Sequence, residues 1–320
     1  MNTDISSVFR VGVFGATGYT GQETLRILAG HPGVEVAFAT SEGSPGEPSG
    51  VEGLALVPGE VAPLTEVALV FLCLPHGKAA EWGKRAHDAG ARVVDLTADH
   101  RPGSGREDGW TYGMADLVPE AVARSRRVAN PGCYPTGVQL ALAPLHAAHL
   151  VRQDVPVVVN AASGVTGAGR TPKRELLFAE VANDYRAYAT GNEHRHLLEM
   201  RAGLPGLPLV FQPHLLPVAR GILETIYVHV PDGVDGAAVR NAWRECYAGR
   251  PTVTVTDGTP SLAPVVGNDR LILGAADNAG FPGLVTLMVA FDNLGKGAAG
   301  QAVHNMNLML GLPEHTGLRL

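Results

Sequence analysis

A short apolar strand that runs straight into a glycine-rich loop constrains the fold of this chain most. The strand covers residues 9–14, the loop reads Gly-Ala-Thr-Gly-Tyr-Thr-Gly over residues 15–21, and apolar residues at helical spacing follow as far as residue 28. Such a loop presents backbone amides and the positive helix end to a pyrophosphate. Because GxxGxxG differs from the commoner GxGxxG, a glycine-rich turn without a ligand is the alternative. The predicted dinucleotide contacts are Gly15, Thr17, Gly18, Tyr19, Thr20 and Gly21.

Apolar runs and helical segments alternate along the first part of the chain. Residues 68–74 are a continuous apolar run, typical of a strand covered on both faces, and residues 92–96 are predicted to be another buried strand. A helical segment at residues 78–89 separates them. This rhythm predicts a parallel, right-handed, doubly wound sheet. Further along, the predicted strands at residues 221–230 and 284–291 show more alternation than those of the first part, which predicts a mixed sheet. A Thr-Pro pair predicts a helix over residues 171–181.

The pattern changes near residue 133, which divides the 320 residues into two domains of ordinary size. The predicted fold class is α/β: a Rossmann-type doubly wound domain over residues 1–132, followed by an α+β substrate and dimerisation domain over residues 133–296. A helix rich in small residues within 297–320 is predicted to pack back on the first domain.

Composition and charge exclude several classes of protein. The formal net charge is −6 and no basic block is present, so the sequence lacks the basic face of a nucleic-acid-binding protein. No apolar run reaches the roughly 18 residues that a membrane span needs, and the first residues do not resemble a signal peptide. Three cysteines, an odd and sparse number, favour a reducing compartment, and the predicted location is the cytoplasm.

The residues after the second predicted strand bear on the choice of cofactor. An NAD enzyme usually places Asp or Glu there to bind the ribose 2′-hydroxyl. Here the strand is followed by Thr40 and Ser41, whose hydroxyls could bind a 2′-phosphate. Glu42 comes next and would repel that phosphate if its carboxylate faced inward. The pattern favours NADP(H), and Glu42 is the residue that argues against it.

The three cysteines lie in different sequence contexts. Cys73 lies in an apolar run and is predicted to be a core thiol, and Cys246 is also interpreted as a packing residue, in a helix. Cys133 lies between two prolines, directly before a predicted helix over residues 136–150. A thiol at a helix N-terminus has its thiolate favoured by the helix dipole. Cys133 is therefore the candidate nucleophile, with a structural cysteine as the alternative.

A polar segment over residues 191–199 supplies candidates for acid–base chemistry. His194 and His196 flank Arg195, and Glu199 follows His196 at a spacing that places both on one face of a helix. Glu199 could orient the imidazole, one histidine could be the general acid/base, and Arg195 could bind an anion. A solvated polar helix start is the alternative, and a metal site is discounted because no third ligand has a suitable spacing.

Five segments resemble the N-acetyl-gamma-glutamyl-phosphate reductases of arginine synthesis, in the family's order and over nearly the whole chain. The most specific are Asn-Pro-Gly-Cys-Tyr-Pro-Thr over residues 130–136 and Asp-Asn-Leu-Gly-Lys-Gly-Ala-Ala-Gly-Gln-Ala over residues 292–302. The others are residues 15–21, 191–199 and 213–222. The resemblance implies a two-domain fold like that of glyceraldehyde-3-phosphate and aspartate-semialdehyde dehydrogenases. It also implies NADPH, a small acyl-phosphate substrate, and a homodimer or homotetramer.

The resemblance also implies a reaction and roles for residues. Cys133 would attack N-acetylglutamyl 5-phosphate, and NADPH would reduce the resulting thioester to the 5-semialdehyde. The acid/base would be His196, favoured because of Glu199, or His194. Residues implied near the cofactor are Ser41, Ser163, Gly164, Asn293 and Lys296, and those implied at the substrate are Arg195, Arg220 and Glu199.

Other functions stay open at this point. The nearest alternative is an aminoadipyl-phosphate reductase of lysine synthesis, whose relatives tend to have Asn-Ala in place of Tyr134-Pro135. Aspartate-semialdehyde dehydrogenase shares the scheme but not the 292–302 block. A catalytically silent dinucleotide sensor is an alternative of another class, and the context of Cys133 argues against it.

Overall fold

The structure, a computed structural model, describes residues 8–320. These residues form two compact units, one of residues 8–131 and 298–319, the other of residues 132–297 with Leu320. Within the described residues, no helix is long and apolar enough to cross a membrane.

The helices of the described chain are short to medium in length. In chain order they are α1 Tyr19–Ala29, α2 Ala79–Asp88, α3 Pro119–Arg124, α4 Cys133–Ala147, α5 Phe178–Val181, α6 His196–Gly203, α7 Gly236–Cys246 and α8 Gly300–Leu310. Single 3₁₀ turns lie at Gly59–Val61, Leu64–Glu66, Val165–Ala168 and Arg174–Leu176, and a π-helical turn at Gly295–Ala299.

The strands form one seven-stranded sheet in each unit of the described chain. Those of the first unit are β1 Phe9–Phe14, β2 Val34–Thr40, β3 Leu56–Val57, β4 Leu69–Leu72, β5 Arg92–Asp95, β6 Thr111–Tyr112 and β7 Arg127–Ala129. Those of the second are β8 Val157–Gly164, β9 Arg186–Ala187, β10 Leu209–Leu216, β11 Ile222–His229, β12 Val253–Thr256, β13 Leu271–Asp277 and β14 Leu284–Phe291.

The first sheet is parallel throughout, in the order β3-β2-β1-β4-β5-β7-β6. Strands β1 and β4 are buried because helices cover both faces, which explains their nearly continuous apolar sequence. The strand order reverses between β1 and β4, and the glycine loop follows β1 at this switch point, where open α/β sheets bind their ligands. The predicted doubly wound sheet is confirmed.

Helix α8 packs in the core of the first unit although it lies at the other end of the sequence. Val303 and Met306 belong to the same buried cluster as Val11 of β1. Asn305 Nδ2 also donates a hydrogen bond to Asn130 Oδ1 (3.0 Å), next to the end of β7.

The second sheet is mixed, in the order β12-β13-β14-β11-β8-β10-β9. Its β10–β8 and β12–β13 pairs are parallel and its other pairs antiparallel. Helix α7 packs on α4, where Trp243 Nε1 donates to Ala141 O (2.8 Å) and Tyr247 donates to Leu140 O (2.5 Å). The predicted mixed sheet is confirmed.

Two predicted helices differ from the structure. The helix expected over residues 171–181 is wrong: the segment contains a 3₁₀ turn and the four-residue α5, and Phe178 is 85% exposed. A Thr-Pro pair can begin a helix, but this segment has no apolar face that would pack against the core and stabilise a longer helix. The helix expected over residues 136–150 begins earlier, at Cys133, and contains Pro144.

An acidic side chain, Glu224, lies in the apolar layer between the second sheet and α4. Glu224 pairs with Ala161 of β8 and Val289 of β14 and is fully buried. Its carboxyl occupies the space that a side chain at Gly137 of α4 would need. Both carboxyl oxygens lack a hydrogen-bond partner, and burial raises the pKa of Glu224 well above its usual value. The carboxyl group is therefore uncharged in the folded protein.

We expect the stability of the protein relative to Glu224→Gln to fall as pH rises. The folded protein keeps the Glu224 proton above the unfolded pKa of about 4.3, so the unfolded state binds fewer protons. Above that pH, the free energy of unfolding of the unsubstituted protein should fall relative to that of Glu224→Gln by up to about 1.4 kcal/mol per pH unit. The fall should stop once the pH passes the pKa of Glu224 in the folded protein. Urea unfolding at several pH values measures this, with exposed Glu245→Gln as control. A pH-independent difference would contradict the neutral carboxyl.

Candidate active site

Cys133 is the first residue of α4 and is half-buried. The extended residue before it, Gly132, donates its backbone N–H to Glu199 Oε2 at 2.9 Å. Thr136 Oγ1 donates to Gly132 O at 2.9 Å from the next turn of the helix. Gly132, the residue before the thiol, is thus held at both its N–H and its carbonyl, which fixes Cys133 at the positive end of the helix.

A glycine lies directly against the candidate nucleophile. A Cβ atom at Gly297 would come within 3.1 Å of Cys133 Cβ and of Asp292 O. Gly297 belongs to the block over residues 292–302 that the sequence singles out. The absent side chain lets the start of α4 and this block approach closely.

The two candidate histidines lie at the start of α6. His196 is buried, and its Nε2 is 3.9 Å from Glu199 Oε1, too long for a hydrogen bond. The other oxygen of Glu199, Oε2, accepts the Gly132 N–H, so this carboxylate also holds the start of α4. Arg195, between the histidines, is exposed. Within residues 8–320, no three His, Cys, Asp or Glu side chains are grouped as a metal site.

Aromatic side chains surround His194. Its ring makes edge-to-face contacts with Tyr134, Tyr188 and Phe211, with centroids 5.7, 5.7 and 5.5 Å away. The Tyr188 hydroxyl donates to the Tyr134 hydroxyl, which donates to His214 O, each at 3.2 Å. Burial, with a smaller contribution from Arg195, lowers the pKa of His194 to about 4. Tyr188 was not predicted as a site residue because no local motif marks it.

Two of the residues expected around the cofactor in the second unit meet at Gly221, whose carbonyl accepts the N–H of Gly164 at 2.9 Å. Ser163 and Gly164 end β8, and Asn293 accepts from Gly221 N (2.8 Å) and donates to Thr166 Oγ1 (2.9 Å). Lys296 is buried in the π-helical turn.

Arg220 belongs to the same region, where its Nε lies 2.9 Å from Asp292 Oδ2. The Asp292 carboxylate also accepts the backbone N–H groups of Gly267 and Leu294. Arg220 is therefore oriented by Asp292, and its side chain is 23% exposed.

The glycine loop of the first unit fits a pyrophosphate. Gly15 has φ of +74°, and a side chain at Gly21 would overlap the carbonyl oxygen of Gly15. The first turn of α1, which begins at Tyr19, contains no acidic residue, and no side chain caps it. The helix thus presents its N-terminal amides without a competing carboxylate, the arrangement that binds phosphate groups.

The residues after β2 also fit a phosphorylated ribose. Ser41 Oγ lies 3.4 Å from Thr17 Oγ1 of the glycine loop. The Glu42 carboxylate accepts the backbone N–H of Gly59 at 2.9 Å. This hydrogen bond fixes the carboxylate of Glu42, the residue that argued against a 2′-phosphate, on the backbone of Gly59.

The other two cysteines differ from each other. Cys73 is buried, as predicted, and burial raises the pKa of its thiol to about 12. Cys246 ends α7 and is exposed, so its interpretation as a packing residue is wrong. The helical spacing of its neighbours does not reveal which face of α7 is covered.

Comparison with known proteins identifies relatives over the whole chain. Family models of the semialdehyde dehydrogenase NAD binding domain and dimerisation domain match residues 10–125 and 133–293. The N-acetyl-gamma-glutamyl-phosphate reductase of Acidothermus cellulolyticus is 43% identical over 97% of this chain and 97% of its own. That of Salinispora arenicola is 44% identical over 97% of each chain.

Solved structures confirm the fold. Aspartate semialdehyde dehydrogenase II from Vibrio cholerae matches 95% of this chain and 99% of its own, with a TM-score of 0.81 and 21% identity. Aspartate semialdehyde dehydrogenase with NADP from Candida albicans covers the same shares, with a TM-score of 0.73 and 18% identity.

We expect Gly21→Ala to destabilise the protein and weaken NADPH binding, with Gly30→Ala at the other end of α1 as the control. A Cβ at Gly21 would overlap Gly15 O, whereas a Cβ at Gly30 would meet only Ile27 O, at 3.9 Å. If no overlap occurred, alanine at position 21 would stabilise α1 by up to about 1 kcal/mol, because its helix propensity exceeds that of glycine. A fall in the free energy of unfolding would therefore be evidence for the overlap, and a rise would be evidence against it.

The expected loss for Gly21→Ala is about 1–3 kcal/mol in the free energy of unfolding. Thermal unfolding and NADPH fluorescence titration measure the two effects. Equal or higher stability of Gly21→Ala would show that the loop does not need this glycine.

Proposed function

This chain belongs to the N-acetyl-gamma-glutamyl-phosphate reductases of the semialdehyde dehydrogenase family, and we propose that it works by covalent catalysis at Cys133. The reaction is the NADPH-dependent reduction of N-acetylglutamyl 5-phosphate to N-acetylglutamate 5-semialdehyde and phosphate, in arginine biosynthesis. The observation that carries the residue assignment is the half-buried thiol at the start of α4, beside a peptide that Glu199 holds. We assign cofactor binding to residues 1–132 with the C-terminal helix, and catalysis to residues 133–296.

The first step is acyl transfer to sulfur. His196 takes the proton of the Cys133 thiol, and the helix start favours the resulting thiolate. The thiolate attacks the acyl carbon, forming the C–S bond as the carbonyl electron pair moves to oxygen. When that pair returns, the C–O bond to phosphate breaks, and His196 gives its proton to the leaving phosphate.

The second step reduces the thioester. NADPH, when bound, supplies a hydride to the thioester carbon. The thiohemiacetal oxyanion then collapses, the C–S bond breaks with its electron pair on sulfur, and the semialdehyde leaves. Solvent returns one proton to the Cys133–His196 pair, so each turnover consumes one proton. Covalent capture turns a bimolecular reduction into a reaction of a positioned acyl group.

Two arginines are assigned to the anionic groups of the substrate. Arg195 is exposed at the start of α6, and Arg220 is oriented by Asp292. A guanidinium binds a carboxylate or a phosphate through two parallel hydrogen bonds. Glu199, also expected at the substrate, is assigned instead to positioning the start of α4 through Gly132.

The cofactor is NADPH. The glycine loop and the amides of α1 would hold its pyrophosphate, and Ser41 with Thr17 would bind the 2′-phosphate, since both hydroxyls lie together. Ser163, Gly164, Asn293 and Lys296 are assigned to the nicotinamide side of the site.

We propose that the protein is a homodimer and is located in the cytoplasm. The face of the second sheet opposite α4 exposes apolar side chains, among them Val210 (41% exposed) and Tyr227 (36% exposed). A seven-stranded sheet with one uncovered apolar face is suited to pack on a second copy. Analytical ultracentrifugation tests the dimer, and a monomer at micromolar concentration would contradict it.

We expect Cys133→Ser to lower turnover by about 10³-fold or more, because a serine hydroxyl does not form the anion at neutral pH. NADPH binding should stay within about twofold of the unsubstituted protein, since the substitution leaves the glycine loop intact. Cys246→Ser, at an exposed position, is the matched control and should keep full activity. Substantial turnover by Cys133→Ser would contradict covalent catalysis.

The reverse reaction tests the substrate. We expect N-acetylglutamate semialdehyde, phosphate and NADP⁺ to give NADPH absorbance at a rate that requires phosphate and disappears when Cys133 is alkylated. Activity with the aminoadipate semialdehyde analogue alone would assign the chain to lysine synthesis. Binding of NADPH without activity on either compound would favour a dinucleotide sensor.

A further inference from the structure

The hydrogen bonding of His194 fixes which ring nitrogen carries its proton. His194 Nδ1 accepts the backbone N–H of His196 at 3.2 Å, at the start of α6. A nitrogen that accepts a hydrogen bond from an amide has no proton of its own. A neutral His194 therefore carries its proton on Nε2, which makes Nε2 a hydrogen-bond donor.

The groups that face His194 disfavour a positive charge on its ring. Tyr134 of α4, Tyr188 of the segment after β9, and Phe211 of β10 contact the ring by their edges or faces and carry no charge. On its own segment, Arg195 is a cation and His196 lies with its centroid 4.7 Å away. Burial and Arg195 lower the pKa of His194 to about 4, so the ring is neutral at physiological pH.

His194 and Cys133 share their aromatic neighbours. Tyr134 directly follows Cys133, and its ring centroid is 5.7 Å from that of His194. Burial is the main cause of the raised pKa values of Tyr134 and Tyr188, and the charge of the Cys133 thiolate contributes to both. Glu199 lies in α6, the helix that starts two residues after His194, and its carboxylate accepts the N–H of Gly132, the residue before Cys133.

We propose that His194 is a catalytic residue that stays neutral throughout and donates its Nε2–H to the carbonyl oxygen of the acyl group on Cys133. The inference rests on the proposed covalent chemistry. As the thiolate attacks, and again as hydride arrives, the carbonyl electron pair moves onto that oxygen, and the Nε2–H hydrogen bond stabilises the charge. His194 neither gains nor loses a proton in either step. Proton transfer belongs to His196 alone, which separates the roles of the two histidines.

Nitrogen NMR of the full-length, histidine-labelled protein tests the charge and tautomer without using activity. The His194 signals are identified by their loss in His194→Gln. We expect Nδ1 to show the shift of an unprotonated nitrogen, Nε2 that of a protonated one, and neither to change between about pH 6 and 8. A His194 ring that gains a proton within this range, or carries its proton on Nδ1, would overturn the inference.

Two substitutions test the hydrogen-bond donor. His194→Gln keeps an N–H donor and should retain turnover within about tenfold, whereas His194→Phe keeps a ring but no donor and should lose about 10²–10³-fold in kcat. Both should keep the acid limb of the pH–rate profile, because that limb belongs to His196. Thermal unfolding checks that each variant folds, and NADPH titration checks the cofactor site.

The outcomes separate this inference from the proposed function. An acid limb that disappears in His194→Gln, or a folded His194→Phe with unchanged kcat, would overturn the donor role and leave Cys133 chemistry intact. A wild-type protein that forms no acyl–enzyme would refute the proposed function and this role with it, although the NMR result would stand.

Discussion

One hydrogen bond, from the Gly132 N–H to the Glu199 carboxylate, joins the two segments on which the proposed chemistry depends. Gly132 directly precedes Cys133, the proposed nucleophile, and Glu199 lies in the helix that His196 begins. The bond therefore sets the position of the thiol relative to its acid/base candidates. A charged acceptor makes such a bond stronger than a neutral one, and both groups are buried, which strengthens it further.

The comparison of Cys133 with Cys73 shows that the surroundings decide what a thiol can do. Cys73 follows β4 in the core of the first unit, and burial raises its pKa to about 12, which makes it inert at physiological pH. Cys133 is half-buried at a helix start, beside a glycine that leaves room for close packing. The surroundings likewise distinguish the two histidines: His194 is neutral among aromatic side chains, and His196 is the proposed acid/base.

Local patterns in the sequence predict the parts of the structure that depend on neighbours along the chain. The strand, glycine loop and helix of residues 9–29 and the context of Cys133 are of this kind. The absent helix at residues 171–181, the exposure of Cys246 and the buried Glu224 depend on which faces distant segments cover, which spacing does not encode. The spacing of His196 and Glu199 predicts that the carboxylate lies beside the imidazole, and the structure places Oε1 3.9 Å from His196 Nε2. Local spacing does not predict that Oε2 also accepts the Gly132 N–H, because that donor lies 67 positions away in sequence.

The covalent intermediate is the central claim, and mass spectrometry can detect it directly. The protein is mixed with N-acetylglutamyl 5-phosphate in the absence of NADPH, quenched in acid and digested. The account predicts one N-acetylglutamyl group on the peptide that contains Cys133, released by hydroxylamine, together with one equivalent of phosphate. Phosphate release without an adduct on that peptide, or an adduct on another residue, would contradict the account.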